Sequence, residues 1–89
     1  MAPVRIELYG IARSRAGVAS VEVEAESLAD ALRALAEAYP GLREEVVLAS
    51  GALSRHFVAS LNGERFVSDP STPIRSSDAL LVLGSQAGG

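Results

Sequence analysis

Cysteine is absent from the 89 residues, so the chain can form no disulfide, no thiolate metal site and no nucleophilic sulfur. Lysine is absent as well: all eight cationic side chains are arginine. That excludes a Schiff-base lysine and leaves no ε-amine to accept an isopeptide bond. One histidine is present, His56. Without cysteine or a nearby pair of acids it has neither the ligand count of a metal site nor the partners of a catalytic triad, so it reads as structural or surface. No apolar run approaches the ~20 residues that a membrane span requires. The start, Met1-Ala2-Pro3-Val4-Arg5, moves straight into a strand pattern and does not resemble a signal peptide. A cytoplasmic protein is the expectation. The net charge of −3 comes without a clustered basic patch, which argues against nucleic acid as the main partner. A mildly acidic surface suits a basic docking surface on a protein partner.

What is there is apolar material in regular patterns. Hydrophobic residues make up 48% of the chain and charged ones 21%, the balance of one small folded domain. A chain of this length buries roughly 60–65% of its unfolded surface, so the core is modest. In Val4-Arg5-Ile6-Glu7-Leu8-Tyr9, apolar Val4, Ile6 and Leu8 alternate with Arg5, Glu7 and Tyr9, which predicts a half-buried strand. Gly10 to Gly17 reads as a long hairpin loop with room for one helical turn. Arg13 and Arg15 in it are either solvated charges or contacts for a partner's acids. Ser20-Val21-Glu22-Val23-Glu24-Ala25 alternates again, with Ala19, Val21 and Val23 inward, and should pair antiparallel with the first strand.

Ser27 is a good helix N-cap, with Asp30 three residues on. Leu28, Ala31, Leu32, Leu35 and Tyr39 follow at three- and four-residue spacing and form one apolar stripe, read as core. Asp30, Arg33 and Glu37 lie off it and can pair along the surface. Pro40-Gly41 stops the helix. Residues 42–54 predict a short helix or an irregular connector. His56 to Leu61 is the next strand. Asn62-Gly63 is a strong hairpin signal, because both residues tolerate the positive φ of a type I′ turn. Glu64 to Val67 returns as a short strand, a polar loop runs over 68–73, and Ile74 inserts into the core. The last strand, Leu80-Leu81-Val82-Leu83, is apolar on consecutive residues, as for a strand inside the sheet.

The order is strand, strand, helix, connector, strand, short strand, strand. The last strand is too apolar for an exposed edge, so it and the first are the candidates for central, parallel neighbours. The expected fold is α+β, a β-grasp or ubiquitin-like mixed sheet of four or five strands packed on one main helix. It would occupy residues 1–84, with 85–89 as a flexible tail, Ser85-Gln86-Ala87-Gly88-Gly89. Such a tail has no bulky tip, and fully extended it reaches about 16–18 Å. It can thread a narrow channel, or it can be a frayed terminus.

Three stretches carry a resemblance over nearly the whole chain. They are Val4 through Gly17, a first strand and an arginine-containing loop; Ser27 to Leu35 with Tyr39-Pro40-Gly41-Leu42; and Ser60 to Glu64 with Asp78 to Leu83 and Gly88-Gly89. Together they resemble the small sulfur-carrier proteins of molybdopterin and thiamine biosynthesis, the MoaD/ThiS family. The long Gly10–Gly17 segment is closer to the molybdopterin type. Ser77-Asp78 stands where the family usually has Gly-Asp, and Gly84-Ser85-Gln86-Ala87 replaces the prolines or apolar residues common before the di-glycine.

The resemblance implies a carrier or co-substrate with no catalytic residues of its own. An E1-like enzyme would use ATP to adenylate the Gly89 carboxylate. A persulfide on another protein would displace AMP and leave a thiocarboxylate, with Gly88 as a bare spacer in a tight site. No cofactor or metal is implied for the chain itself. The sulfur would pass to an acceptor inside a partner, first of all the large subunit of a molybdopterin-synthase-like complex; thiamine, cysteine and tRNA thiolation are alternative destinations. The docking surface would be the sheet face away from the helix, with Phe66, Leu81 and Leu83 as apolar contacts, Arg65 at the rim, and Gln86 and Ala87 leading into the partner. For Phe66 the core is the stronger expectation, since large aromatics are mostly buried. Two other functions share this sequence: a ubiquitin-like modifier joined through Gly89 to lysines of other proteins, and a plain interaction module.

Overall fold

The computed structural model describes residues 3–85. The main helix begins where the sequence places it. The Oγ of Ser27 accepts the backbone N–H of Asp30 at 3.2 Å, which caps α2 (Leu28–Ala38). Two further N–H groups of its first turn are satisfied from the loop after the short strand. Leu28 donates to the Thr72 carbonyl at 2.9 Å and Ala29 to that of Pro70 at 3.0 Å. Leu28, Ala31, Leu32 and Leu35 are buried, and Tyr39 packs against them half-buried. On the outer face Arg33 reaches Asp30 at 3.3 Å.

The stripe of α2 lies on a five-stranded mixed sheet. The strands are β1 (Pro3–Leu8), β2 (Ser20–Glu24), β3 (Phe57–Leu61), β4 (Arg65–Val67) and β5 (Ala79–Gly84), in the spatial order β2-β1-β5-β3-β4. β1 and β5 are parallel neighbours at the centre, with Ile6 opposite Leu80 and Leu8 opposite Val82. β2 and β1 pair antiparallel, as do β3 and β5. This is the β-grasp arrangement. The core faces of β1 and β5 supply Val4, Ile6, Leu8, Leu80 and Val82, all at 0 or 1% exposure. Each such side chain contributes roughly 1.5–3 kcal/mol by leaving water. On β2, Val21 and Val23 are half-buried against this core, but Ala19, one residue before the strand begins, is exposed.

The Gly10–Gly17 segment is a helix, α1 (Gly10–Ala16), and not a loop with one turn. Only Ala12 is buried within it, so no stripe announced it. Seven residues are too few to hold a helix alone. Tertiary contacts hold it instead. Arg15 pairs with Glu45 at 2.8 Å, and α1 lies against the 3₁₀ turn at Pro40–Leu42 so closely that a Cβ on Gly41 would come within 2.8 Å of the Arg15 carbonyl oxygen.

The stretch after that turn is an irregular connector. It is nonetheless tied down: Val46 and Val47 are buried, Glu44 N–H donates to the Val47 carbonyl at 2.7 Å, and Ser54 N–H donates to that of Val46 at 2.8 Å. At the Asn62-Gly63 turn both residues have positive φ, 58° and 69°, and Glu64 N–H closes it on the Leu61 carbonyl at 3.0 Å. Ile74 is buried as expected.

Candidate functional site

Strand alternation divides the side chains of the sheet. One set meets α2; the other is left uncovered by either helix. On the open side, Phe66 of β4 stands opposite Ser60 of β3, which stands opposite Leu81 of β5. One step along, Val58 stands opposite Leu83. Val58, Leu81 and Leu83 are half-buried, and Ser60, flanked by Phe66 and Leu81, is buried. Phe66 is 72% exposed. The expectation that it belongs to the core is therefore wrong. Phe66 and Val67 are adjacent, and a strand can send only one of them inward. Val67, opposite Ala59, takes the core position.

The structure thus brings Phe66, Leu81 and Leu83 onto one apolar patch. It separates Arg65 from them: Arg65 is exposed, but it is the register partner of Leu61, so alternation turns it toward the opposite face. The other half of the open face, on β1, is polar. Tyr9 donates its phenol to Glu7 Oε1 at 2.7 Å, and Arg5 Nε lies 3.7 Å from Glu7 Oε2. The carboxylate accepting this bond raises the Tyr9 pKa, with partial desolvation adding to it. Tyr9 is half-exposed, and Ile11, in the first turn of α1, is 63% exposed. The sequence put Tyr9 on this face but did not mark it, or Ile11, as contact surface. An apolar residue in a glycine-bounded segment gives no periodicity from which to read its side.

β5 carries the chain from the centre of the sheet to the tail. Its ladder ends with Gly84 opposite Phe57. Ser85 is held one residue further on: its N–H donates to the His56 carbonyl at 2.8 Å and its hydroxyl to the Arg55 carbonyl at 2.9 Å. His56 itself is exposed and serves here through its backbone. Gln86, Ala87, Gly88 and Gly89 lie outside the described residues.

A cleft of ≈ 350 Å³ opens where β4 stops short, walled by Leu32 of α2, Leu53 of the connector, and Phe57, Phe66 and Pro70. Two carboxyls outside it are held low: Asp69 by the N–H and hydroxyl of Ser71, and Asp78 by Asn62 and the Arg75 N–H. Both carboxylates sit in turns and hold them together. Among the described residues, no three His, Asp or Glu side chains converge as a metal site, and no helix is long and apolar enough to cross a membrane.

No protein-family model matches the sequence, and no curated protein matches it either. Solved structures do. The small archaeal modifier protein 1 of Haloferax volcanii is similar at 26% identity and a TM-score of 0.83, over 99% of this chain and 100% of that one. The BexX/CysO complex of Amycolatopsis orientalis is similar at 21% identity and a TM-score of 0.79, over 97% and 99%. The complex of subunits 1 and 2 of molybdopterin-converting factor from Helicobacter pylori 26695 is similar at 22% identity and a TM-score of 0.63, over 98% and 99%.

Proposed function

We propose, for a chain whose structural neighbours are MoaD/ThiS-type ubiquitin-like sulfur carriers, that it carries sulfur as a thiocarboxylate at Gly89. The observation that supports this reading most is the path of β5. The central strand of a β-grasp sheet leads, four residues past a held Ser85, to Gly88-Gly89. A free carboxylate is inert to nucleophiles. Adenylation by an E1-like partner, with ATP as the source of AMP, supplies a leaving group that the terminal sulfur of a persulfide can displace, giving an acyl disulfide; a thiol from outside this cysteine-free chain then reduces the S–S bond and releases the thiocarboxylate. Gly88 and Gly89 bring no Cβ into a closed active site. With no cysteine and no lysine, the chain offers its activated terminus neither thiol nor ε-amine to react with.

The open sheet face is the docking surface in this reading. Phe66 and Leu81 resemble the central apolar anchors of an interface, with the Arg5–Glu7–Tyr9 group as a polar side. Arg65, turned to the other face, would reach a partner only if that partner wraps the β4 edge. Gln86 and Ala87 would be the first tail residues to enter the partner. The acceptor we favour is a molybdopterin precursor held by a large subunit, with the work done in the cytoplasm. The Helicobacter pylori complex of two converting-factor subunits supports a partner of that kind.

One observation favours a second reading. The Haloferax volcanii neighbour is a small archaeal modifier protein. On that reading the activated Gly89 is attacked by a lysine of another protein. Both readings are separated by the mass of the protein from its own host, with fragmentation to locate any change. Sulfur in the fragment ending at Gly89 supports the carrier, and a lysine adduct there supports the modifier. Locating the sulfur matters because oxidation of Met1, the sole methionine, adds nearly the same mass as exchanging one oxygen for sulfur. A bare carboxylate in every preparation, even with ATP and the activating partner added, would leave an interaction module. Gly88→Ala, or removal of Gly89, should abolish activation in a reconstituted assay.

A further inference from the structure

The anchor at Ser85 goes beyond what the sheet requires. Two bonds from one residue reach two consecutive carbonyls, those of His56 and Arg55, so they fix both the position and the rotation of the backbone where Gln86 begins. The acceptors are themselves held. Ser54, just before them, is buried; its carbonyl accepts the Phe57 N–H at 3.1 Å, its Oγ accepts the His56 N–H at 3.4 Å, and its own N–H donates to the carbonyl of fully buried Val46. The root of the tail is therefore tied, through a short connector, to the core. The Ser85 hydroxyl is at the surface, where water would satisfy it equally well. Its bond adds little to folding and much to local order.

We propose that Ser85 is a positioning residue that aims the tail for acyl transfer at Gly89. This rests on the carrier reading. With Ser85 pinned, only Gln86 to Gly89 remain to span the gap to a partner's active site, a reach of at most about 13–14 Å. A partner seated on the open sheet face then receives the tail from a fixed origin. Without the anchor, at least one more residue must be ordered each time Gly89 is delivered. Ordering one residue's backbone corresponds to a factor of about 5–30. The loss falls on the step reached through the tail and not on docking.

The test is steady-state ATP–pyrophosphate exchange with the E1-like activating enzyme of the same host, comparing Ser85→Ala, Ser85→Pro and Ser85→Thr. Alanine removes the hydroxyl bond, proline also removes the N–H bond, and threonine keeps both. The expected result is kcat lowered about fivefold by alanine and further by proline, restored by threonine, with KM unchanged throughout. Amide hydrogen exchange at Ser85 should be slow in the wild type and faster in Ser85→Ala, independently of any partner. Wild-type kcat in both the alanine and proline variants would overturn the positioning role and leave the carrier reading intact. So would a change confined to KM, or an unprotected Ser85 amide. A wild-type chain that supports no exchange at all would overturn the carrier reading, and the positioning role with it.

Discussion

Asn62 donates through Nδ2 to Asp78 Oδ1 at 3.0 Å, across sixteen residues of chain. The same side chain accepts the Ala79 N–H on Oδ1 at 2.8 Å, and Asp78 Oδ2 accepts the Arg75 N–H at 2.8 Å. The hairpin turn between β3 and β4 is thereby stitched to the first residue of β5. The Asp78 carboxyl is held below its usual range, by Asn62 first and then by the Arg75 N–H. A depressed pKa contributes stability that is present above the unfolded value and lost as pH falls through the folded one. Asp78→Ala should therefore cost about 1 kcal/mol at neutral pH, a modest figure because the bonds face solvent. The cost should begin to fade as pH falls below about 3.9 and be gone below the depressed folded value, where the wild type also loses the bonds. Urea denaturation of both proteins at neutral pH and in acid measures it; a difference that persists unchanged in acid would point to another cause.

Leu35 is fully buried at the centre of the α2 stripe. Leu35→Ala removes its contacts to the sheet and leaves a cavity, an effect of about 2–5 kcal/mol. In a domain of this size that approaches the whole stability margin. The expected outcome is a urea midpoint lowered by roughly a third or more, or, where the margin is at its low end, no cooperative transition at all. A loss under about 1 kcal/mol would mean that α2 can shift to fill the space.

These elements were legible because burial imposes a period. Val4, Ile6 and Leu8, or Leu28, Ala31, Leu32 and Leu35, each show one face to one core. The parallel pairing of β1 with β5 followed from the apolar run at 80–83, which no edge strand could carry. Legibility ended where tertiary contact alone decides. α1 has one buried residue and depends on Glu45 and Gly41, distant in sequence. Phe66 and Val67 are both suited to the core, and only the β3 register settles which one enters. The Ser85 anchor has no local signature, since its hydroxyl meets a carbonyl thirty residues earlier.

Gly41 marks the close approach of the 3₁₀ turn to α1. A Cβ there would sit 2.8 Å from the Arg15 carbonyl oxygen, a backbone atom that cannot swing aside. Gly41→Ala should force α1 outward and cost about 1–3 kcal/mol. Gly84→Ala is the control: nothing lies within 4 Å of its new Cβ. Thermal melts of the two variants should differ by several degrees, at about 4–8 °C per kcal/mol for a domain of this length. Equal melting temperatures would show that α1 yields without cost.

Phe66 is the sharpest test of the docking face. At 72% exposure it contributes little to folding, so Phe66→Ala should change stability by less than about 0.5 kcal/mol. Leu81 is half-buried beside it, and Leu81→Ala should cost somewhat more. If the open face receives the activating partner, Phe66→Ala should weaken binding about tenfold or more, because a large aromatic seated in a partner pocket carries a disproportionate share of the affinity. Arg65→Ala, on the other face, should leave binding within about twofold, as a residue away from the contact would. Calorimetric titration of the three variants against the E1-like partner distinguishes the faces. Full affinity in Phe66→Ala together with a loss in Arg65→Ala would move the docking surface to the opposite side of β4.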